Sequence, residues 1–384
     1  MSDLYLVLKN LTRSKLRLAL TLFATFIAFM VYGVLASFQS YLNSGIDLAA
    51  DDRLVVINKI NFTQSLPISY VNRVRAVENV VDVAHLNWFG GYYQDPKNLV
   101  VTIAVSPESF VRVYPELVMT EDEKKAWLDN RQGLIVGEKV AQTYGWKVGD
   151  RIPLNSNIFS QTNGRTDWDF DIEAIYSGAD EQADTSSLYF HYNYFNETQS
   201  FGRDRIGWMA VRTNDSSNNE AVINAIDGLF ENTQAETESM PEKAFNQAFI
   251  EQIGNIGLIV SSVVLAAFFI ILVIVGNSMV LSIRERTREI GVMKTLGFKS
   301  TRIFGMVLAE SLAIALIGGL LGLAAAAGLT SLTSGMGAQV PTLILDREIA
   351  AKAIGIMLLM GLITGIIPAF NALRLNIISS LSRS

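Results

Sequence analysis

A short charged segment lies between two long uncharged stretches of the sequence. The six residues from Arg284 to Glu289 carry five charges, three on arginines and two on glutamates. Charges of this density do not enter hydrocarbon, so they must lie in water or at the surface of another protein. The chemistry open to them is ion pairing, and the segment is the first candidate for a recognition site.

Residues that could bind a metal or act as a nucleophile are few. The chain has no cysteine and two histidines, His85 and His191, which lie 106 residues apart. Neither a thiolate nucleophile nor a histidine metal cluster is therefore predicted. No GxxxxGK[ST] phosphate-binding loop occurs, so the sequence predicts a chain that is no enzyme and binds no cofactor of its own.

Aspartate recurs at every second position of DWDFDIEAIY, residues 167–176. A calcium-binding EF-hand loop would need glycine at its sixth position, where this sequence has Ile172. Large apolar residues fill the positions between the aspartates. This alternation predicts a strand with one solvated face rather than a calcium site.

Four stretches of the sequence are long enough and free enough of charge to cross a bilayer as helices. Half of the residues are hydrophobic and the mean hydropathy is +0.29, which is high for a soluble protein. A hydrocarbon core about 30 Å thick needs roughly 20 apolar residues. The uncharged stretches are Leu18 to Phe38, Gln252 to Ile283, Ser311 to Leu345 and Ala353 to Leu373. The first could also be a signal peptide, but its length and the lack of a small-x-small cleavage site favour an uncleaved helix.

Lysine and arginine in the short flanks decide the predicted orientation. Four lie before the first stretch, six lie in residues 284–302, and Arg374 and Arg383 lie in the tail. Because cytoplasmic flanks are enriched in these residues, all three segments are predicted to be cytoplasmic. The resulting plan is a cytoplasmic N-terminus 1–17, membrane helices 18–40, 253–283, 303–331 and 351–373, an extracytoplasmic domain 41–250, a cytoplasmic loop 284–302, an outer loop 332–350 and a cytoplasmic tail 374–384.

The predicted outer domain is acidic and mixed α/β. Residues 41–250 contain 17 Lys plus Arg against 30 Asp plus Glu, a net charge of −13, and the rest of the chain carries +7. No nucleic-acid partner is predicted, because phosphate binding needs a basic face. Periodicity predicts strands over 52–58, 98–105 and 205–213, helices over 69–80 and 220–230, and an inserted lobe over about 116–200, with a helix, a glycine turn and a strand in 137–154.

Several segments resemble the MacB/FtsX-like ABC-transporter permeases, and together they span most of the chain. The most specific is RERTREIGVMKTLG (284–297), which is similar to the stretch that follows the second membrane helix in that family. The resemblance also covers LKNLTRSKLRLALT (8–21), GLIVGEKVAQTYGWKVGDRIPL (133–154) and LAESLAIALIGGLLG (308–322). IPAFNALRLN (367–376) resembles the end of the fourth helix, although Ile377 stands where the family usually has proline.

The resemblance implies a permease subunit of an ABC exporter in the bacterial inner membrane, with its large domain in the periplasm. About 17 residues precede the first membrane helix, whereas MacB carries its ATPase there, so a stand-alone subunit is expected. It implies a homodimer with two copies of a separate ATPase that binds ATP and Mg²⁺, and use of a periplasmic adaptor and an outer-membrane channel. Two alternatives stay open: a lipoprotein-releasing permease, or an FtsX-like transducer that regulates a cell-wall hydrolase.

The resemblance also implies a mechanism, called mechanotransmission, in which ATP hydrolysis moves the outer domain and drives efflux. The second uncharged stretch has 32 residues and would span about 48 Å as a helix, so it is predicted to extend outward as a stalk. The segment after it is predicted to be a helix that contacts the ATPase. Its candidate coupling residues are Arg284, Glu285, Arg286, Arg288, Glu289, Ile290, Met293 and Gly297. The alternative is a solvated basic loop that only sets topology.

Two further groups of residues concern the membrane helices. Gly318 with Gly322 and Gly361 with Gly365 form GxxxG pairs, which are predicted to pack helices within one subunit. Glu310 lies in the predicted third membrane helix, where a carboxylate needs a partner. Arg13 or Arg17 at the cytoplasmic edge is the expected partner in a structural role, and a proton relay is the alternative.

Overall fold

The computed structural model describes residues 9–10, 12–47, 49–179, 185–253, 256–333 and 343–374. The chain divides into two compact units. Of the described residues, 9–10, 12–41, 256–333 and 343–374 form the helical unit, and 42–47, 49–179 and 185–253 form the outer domain. Residues 334–342 of the predicted outer loop and 375–384 of the predicted tail, including Ile377, lie outside the described residues.

The helices of the described residues are numbered in chain order. They are α1 (Lys15–Asp47), α2 (Tyr70–Arg75), α3 (Pro107–Val113), α4 (Glu121–Asp129), α5 (Glu138–Tyr144), α6 (Tyr192–Thr198), α7 (Asn219–Phe230), α8 (Glu242–Ile253), α9 (Ile256–Glu285), α10 (Thr287–Thr295), α11 (Ser300–Thr333) and α12 (Arg347–Arg374). A single 3₁₀ turn, Ser216–Asn218, precedes α7.

The strands all belong to the outer domain. They are β1 (Arg53–Asn58), β2 (Leu66–Pro67), β3 (Val80–Trp88), β4 (Gly91–Tyr92), β5 (Leu99–Val105), β6 (Leu117–Val118), β7 (Gly133–Gly137), β8 (Arg151–Ser156), β9 (Asp167–Gly178), β10 (Ser187–His191), β11 (Arg205–Ile206), β12 (Trp208–Thr213) and β13 (Thr237–Pro241).

Among the described residues, four helices are long and apolar enough to cross a membrane: α1, α9, α11 and α12. One precedes the outer domain in sequence and three follow it. The predicted fold class, four membrane helices with a mixed α/β domain between the first and the second, is confirmed.

One pair of glycines lets α11 approach α1 closely. A Cβ atom on Gly318 would lie 2.7 Å from the Cβ of Thr25, and one on Gly322 would lie 3.0 Å from the backbone nitrogen of Met30. Real Cβ atoms essentially never come as close as 2.7 Å to another atom, and a distance of 3.0 Å is tighter than nine in ten of their contacts. The small residues of this GxxxG pair therefore face a neighbouring helix of the same chain.

The second pair of glycines serves the contact between α12 and α11. A Cβ atom on Gly361 would lie 2.9 Å from the Cα of Leu312, and one on Gly365 would lie 3.0 Å from Cδ1 of Leu308. The closeness also lets the Ser311 hydroxyl donate a hydrogen bond of 2.8 Å to the Gly361 carbonyl. The two helices are thus joined by packing and by a polar contact within the membrane span.

The outer domain is built on a sheet that closes on itself at one end. Strands β13, β1, β12, β3 and β5 are neighbours in that order and pair antiparallel. Strand β5 also pairs with β4 and with β10, and the pairings β10–β7, β7–β9, β9–β8 and β8–β4 complete a ring. Strands β7 to β10 come from the predicted inserted lobe. The insertion therefore extends the sheet of the domain instead of forming a separate one.

The long strand β9 shows why the insertion folds this way. Its side chains alternate between buried and half-buried positions along residues 167–176, as the sequence pattern predicted. The buried set includes Trp168 and Phe170, which pack edge-to-face against Phe89 at ring-centroid distances of 4.9 and 6.4 Å. On the other face Asp171 pairs with Arg151 at 3.1 Å. Aromatic burial on one side and ion pairs on the other fix the strand's orientation.

Two local predictions for the outer domain need correction. The helix predicted over 69–80 ends at Arg75, and Asn79 takes a left-handed backbone conformation (φ 68°) before β3 begins at Val80. Asparagine tolerates this conformation better than most residues, and the β-branched residues that follow favour a strand. The strand predicted over 205–213 is divided at Gly207 into β11 and β12.

A buried arginine ties the first residue of α8 to the sheet. Arg53 of β1 is 3% exposed. Its guanidinium donates to Glu242 at 2.6 Å and to the Val113 carbonyl at 2.9 Å, pairs with Glu116 at 2.7 Å, and lies 4.1 Å from the ring centroid of Tyr114. Two carboxylates and a carbonyl thus satisfy the guanidinium, and α8 is anchored to the domain core where it begins.

His85 of β3 is a half-buried residue whose two ring nitrogens are shielded from solvent. Its ring packs edge-on against Tyr192 at 4.7 Å, and neither ring nitrogen has a hydrogen-bond partner among the described residues. Burial, with a smaller contribution from the nearby Arg75 charge, lowers the pKa of His85 from 6.5 to about 4. The imidazole is therefore neutral in the folded domain at neutral pH.

This pKa predicts that the outer domain loses stability as the pH falls from 6.5 towards 4. In that range the unfolded chain protonates His85 and the folded domain does not, so protons favour unfolding. Each pH unit is worth about 1.4 kcal/mol, so the loss amounts to roughly 3 kcal/mol. All five tryptophans lie between residues 88 and 208, so tryptophan fluorescence during denaturant unfolding of the whole chain reports on this domain.

The matched variant is His85→Phe, which keeps an aromatic ring and cannot titrate. Its unfolding free energy is expected to depend less on pH over this range than that of the parent. His191, whose pKa burial also lowers, remains in both proteins and cancels in the comparison. An equally steep pH dependence in both proteins would contradict the assignment.

Candidate functional site

The coupling segment, residues 284–297, is formed by the end of α9, a break and the short helix α10. The predicted continuous helix is wrong at one residue: Arg286 lies between α9 and α10 with a backbone conformation of φ −104° and ψ 11°. The segment ends at Gly297, which has φ +89° and donates a backbone hydrogen bond of 3.1 Å to the Lys294 carbonyl. Such a left-handed residue stops a helix, and glycine adopts it without strain.

The break at Arg286 coincides with a buried ion pair. Its guanidinium makes two parallel bonds to the Glu310 carboxylate of α11, at 2.9 and 2.8 Å. Arg286 is 9% exposed and Glu310 is 2% exposed. The guanidinium also donates to the Ser282 carbonyl at 3.2 Å, and Asn10 donates to Glu310 at 2.9 Å. Every charged group of the pair is thus hydrogen-bonded, which a buried ion pair requires.

Glu310 therefore pairs with Arg286. The partner expected from the sequence was Arg13 or Arg17, and that prediction is wrong. Those two arginines bond the other carboxylates of the coupling segment: Arg17 contacts Glu285 at 2.8 Å, and Arg13 contacts Glu289. In each pair at least one of the two side chains is exposed to solvent, so each pair contributes little to stability. These pairs instead position the N-terminal residues, because they connect them to the coupling segment.

The coupling residues predicted from the sequence divide into two faces. Arg286 and Ile290 are buried against the helical unit, and Met293 is half-buried. Arg284, Arg288 and Glu289 are exposed. Buried members hold the segment in place, and only the exposed ones are accessible to a partner.

Sequence reasoning missed two exposed apolar residues on this surface. Val292 is 43% exposed and Leu296 is 73% exposed. They follow Arg288 at spacings of four residues: Val292 shares a face of α10 with Arg288, and Leu296 continues the spacing directly after the helix ends at Thr295. That spacing was readable in the sequence, but which face of the helix is free depends on the packing of Ile290.

A cavity of about 570 Å³ lies beside the segment within the helical unit. Its apolar lining is Ile283, Ile290, Val292, Met293, Ile303, Met306 and Val307. On α10, Lys294 donates a hydrogen bond of 2.9 Å to the Leu373 carbonyl at the end of α12. The coupling segment thus contacts residues of α9, α11 and α12, and it can pass a displacement to all three.

We expect Glu310→Gln to destabilise the helical unit, because it leaves the Arg286 guanidinium buried without a counter-charge. Removing one partner of a buried pair typically costs about 3–5 kcal/mol. The double variant Arg286→Met with Glu310→Met removes both charges and is expected to regain much of that loss. The measurement is the temperature at which the detergent-solubilised chain ceases to elute as a monodisperse species.

The matched control is Glu348→Gln, which breaks the exposed Glu348–Lys352 pair of α12. This change is expected to shift the midpoint little, since exposed pairs contribute at most about 1 kcal/mol. Equal midpoints for Glu310→Gln and Glu348→Gln would show that the buried pair does not hold the segment.

The arrangement defines a class of protein: a multi-pass membrane protein with an acidic outer domain and a charged segment set on its helical unit. Comparison with family models specifies it further. Residues 19–229 match the MacB-like periplasmic core domain, which is more than half of the chain, and residues 261–377 match the FtsX-like permease C-terminal model. The chain belongs to the MacB/FtsX-like ABC-transporter permease family.

Individual relatives agree with this membership. Over 202 residues the chain is 28% identical to the macrolide export ATP-binding/permease protein MacB of Acinetobacter baylyi, covering 52% of this chain and 30% of that protein. Over 376 residues it is 24% identical to an uncharacterized ABC transporter permease of Methanocaldococcus jannaschii, covering 91% of this chain and 88% of the relative. The chain thus matches less than a third of the length of that MacB protein.

Among solved structures, the periplasmic region of MacB from Actinobacillus actinomycetemcomitans aligns with a TM-score of 0.38 and 14% identity. The alignment covers 52% of this chain and 94% of that one.

Proposed function

We propose that this chain is the permease subunit of an ABC exporter whose ATP hydrolysis is performed by a separate ATPase subunit. The observation that carries the proposal is the buried Arg286–Glu310 pair. It fixes the coupling segment to the membrane helices while the face with Arg288, Val292 and Leu296 stays exposed. A docking element must be firmly attached on one side and accessible on the other.

In this proposal the chain's role is to receive and transmit movement. ATP and Mg²⁺ are held by the ATPase, and its closure displaces α10. The ion pair passes the displacement to α9 and α11. In sequence α9 follows α8 after two residues, and Arg53 anchors the first residue of α8 to β1.

The proposed assembly is a homodimer with two ATPase copies in a bacterial inner membrane. The N-terminus, the coupling segment and the C-terminus are cytoplasmic, and the outer domain is periplasmic, where an adaptor and an outer-membrane channel would extend the route. The lysine and arginine distribution supports this orientation. The acidic outer domain is compatible with it, since acidic residues contribute little to the orientation rule.

The orientation predicts the reactivity of single cysteines, which the cysteine-free chain makes simple to read. Ser217 in the outer domain and Thr295 on α10 are both exposed. Ser217→Cys is expected to react with an impermeant maleimide in intact spheroplasts, and Thr295→Cys only after lysis. The parent chain gives the background. Labelling of Thr295→Cys in intact spheroplasts would refute the cytoplasmic location of the coupling segment.

The docking role predicts that Val292→Asp combined with Leu296→Asp weakens ATPase binding by about tenfold or more. Placing two carboxylates in a desolvated contact is costly, and central apolar contacts typically contribute most of the binding energy. Because both side chains are exposed, expression and membrane insertion are expected to be unchanged. Copurification of the cognate ATPase and its hydrolysis rate with the permease in nanodiscs are the measurements.

The matched control is Val292→Ile with Leu296→Met, which keeps the surface apolar and should bind the ATPase like the parent. Charge reversal of Glu285 and Glu289 is a less specific test, because it also breaks their pairs with Arg17 and Arg13. The permease alone is expected to hydrolyse no ATP. Undiminished ATPase binding by the double aspartate variant would rule out this face as the docking site.

A further inference from the structure

A cleft of about 600 Å³ opens in the outer domain between β3, α3 and the start of α6. Its lining combines the apolar side chains of Val81, Val105 and Pro107 with two arginines, Arg75 and Arg112. Sites for small molecules are typically concave regions of several hundred Å³ in which a few polar groups lie beside apolar surface. The cleft therefore has the size and the composition of a ligand site.

One buried carboxylate holds the two arginines side by side. Arg112 of α3 donates to Asp82 of β3 at 2.5 Å, and Arg75 at the end of α2 lies 3.9 Å from the other oxygen of this carboxylate. Both guanidinium groups also donate to the Ser109 hydroxyl oxygen at 3.3 Å. Asp82 is 6% exposed and Ser109 is 5% exposed. The two cations are thus positioned by buried groups, which lowers the cost of ordering them around a ligand.

These contacts leave part of each guanidinium group free. The Nη1 amino groups of Arg75 and Arg112 have no hydrogen-bond partner within the part of the chain that the structure describes. The two side chains are 46% and 60% exposed. Asp82 balances one of the two positive charges, so the pair keeps one positive charge and unused donors. A planar guanidinium with free donors matches the geometry of a carboxylate.

We propose that this cleft binds a carboxylate-bearing ligand, with the free donors of Arg75 and Arg112 holding the carboxylate. Val81 and Pro107 contact an apolar group next to it. Val81 is 60% exposed, and a ligand that covers its side chain removes apolar surface from water. The C-terminal end of a peptide with an apolar last residue has this chemistry, as does a short branched organic acid. Glu108 is exposed and also lines the cleft, so a ligand with a second negative charge is disfavoured.

This site goes beyond the proposed exporter, and its tests need neither ATPase nor nucleotide. The full chain in nanodiscs is titrated by isothermal calorimetry with an N-acetylated tripeptide that ends in valine. The matched probe is the same peptide with a C-terminal amide, which lacks only the carboxylate. The acid is expected to bind about tenfold or more tightly than the amide, as hydrogen bonds to a charged group require. Equal affinity for the two peptides, or heat no greater than with empty nanodiscs, would overturn the proposal.

A titration with 3-methylbutanoate separates the two sources of the carboxylate. This acid keeps the carboxylate and the isopropyl group of the tripeptide's last residue but has no peptide bond. Affinity equal to that of the tripeptide assigns the site to free organic acids, and weaker binding assigns it to peptide ends. Both results support a carboxylate site.

Three variants test the residues. Arg112→Gln is expected to weaken binding of the tripeptide acid by about 10-fold to 100-fold. Arg151→Gln is the matched control, because Arg151 is 55% exposed, also pairs with an aspartate and lies outside the cleft. Glu108→Gln is expected to strengthen binding by about 2-fold, because it removes a like charge. Tryptophan fluorescence checks that each variant remains folded. Unchanged binding by Arg112→Gln, or an equal loss in Arg151→Gln, would overturn the assignment.

Discussion

The ion pair between Arg286 and Glu310 is the interaction on which one end of the helical unit, the end that carries residues 284–297, depends. Two charges are placed out of water at the edge of a membrane span, which is costly unless each is fully bonded. The guanidinium meets both carboxylate oxygens and the Ser282 carbonyl, and Asn10 adds a donor to Glu310. Because Arg286 is also the residue that separates α9 from α10, the same contact sets the direction of α10.

The role proposed for the exposed side chains around this pair depends on it. Val292 and Leu296 are apolar side chains in water, which by themselves are unremarkable on a protein surface. In the proposed exporter they belong to the surface that contacts the ATPase, on a segment that the ion pair holds against the helical unit. In contrast, the pairs of Arg13 and Arg17 with the segment are solvent-exposed, and they can break and re-form at little cost.

The outer domain accommodates a large insertion without disulfides. Closing strands β5, β10, β7, β9, β8 and β4 into a ring removes free edges and encloses an aromatic core around Phe89. Arg53 then fixes α8 to the sheet through Glu242. The domain is therefore suited to move as a body in the proposed exporter, because the helix leading towards the membrane is anchored in its core.

The sequence by itself determined the features that depend on local composition. Uncharged length predicted the four membrane helices, alternation predicted the two faces of β9, and charge density located the coupling segment. Family resemblance added the order of the units. The sequence could not determine which charges meet: Glu310 is 24 residues from Arg286 and 300 from Asn10. It also missed the break at Arg286 and the ring closed by the insertion. The residue spacing of a helix or strand reflects local contacts: contacts with solvent and with residues within about four positions in the sequence. Pairings between distant residues are decided by packing. Burying an unpaired charge or leaving a strand edge unpaired is costly, and this cost selects one partner among several that the sequence allows.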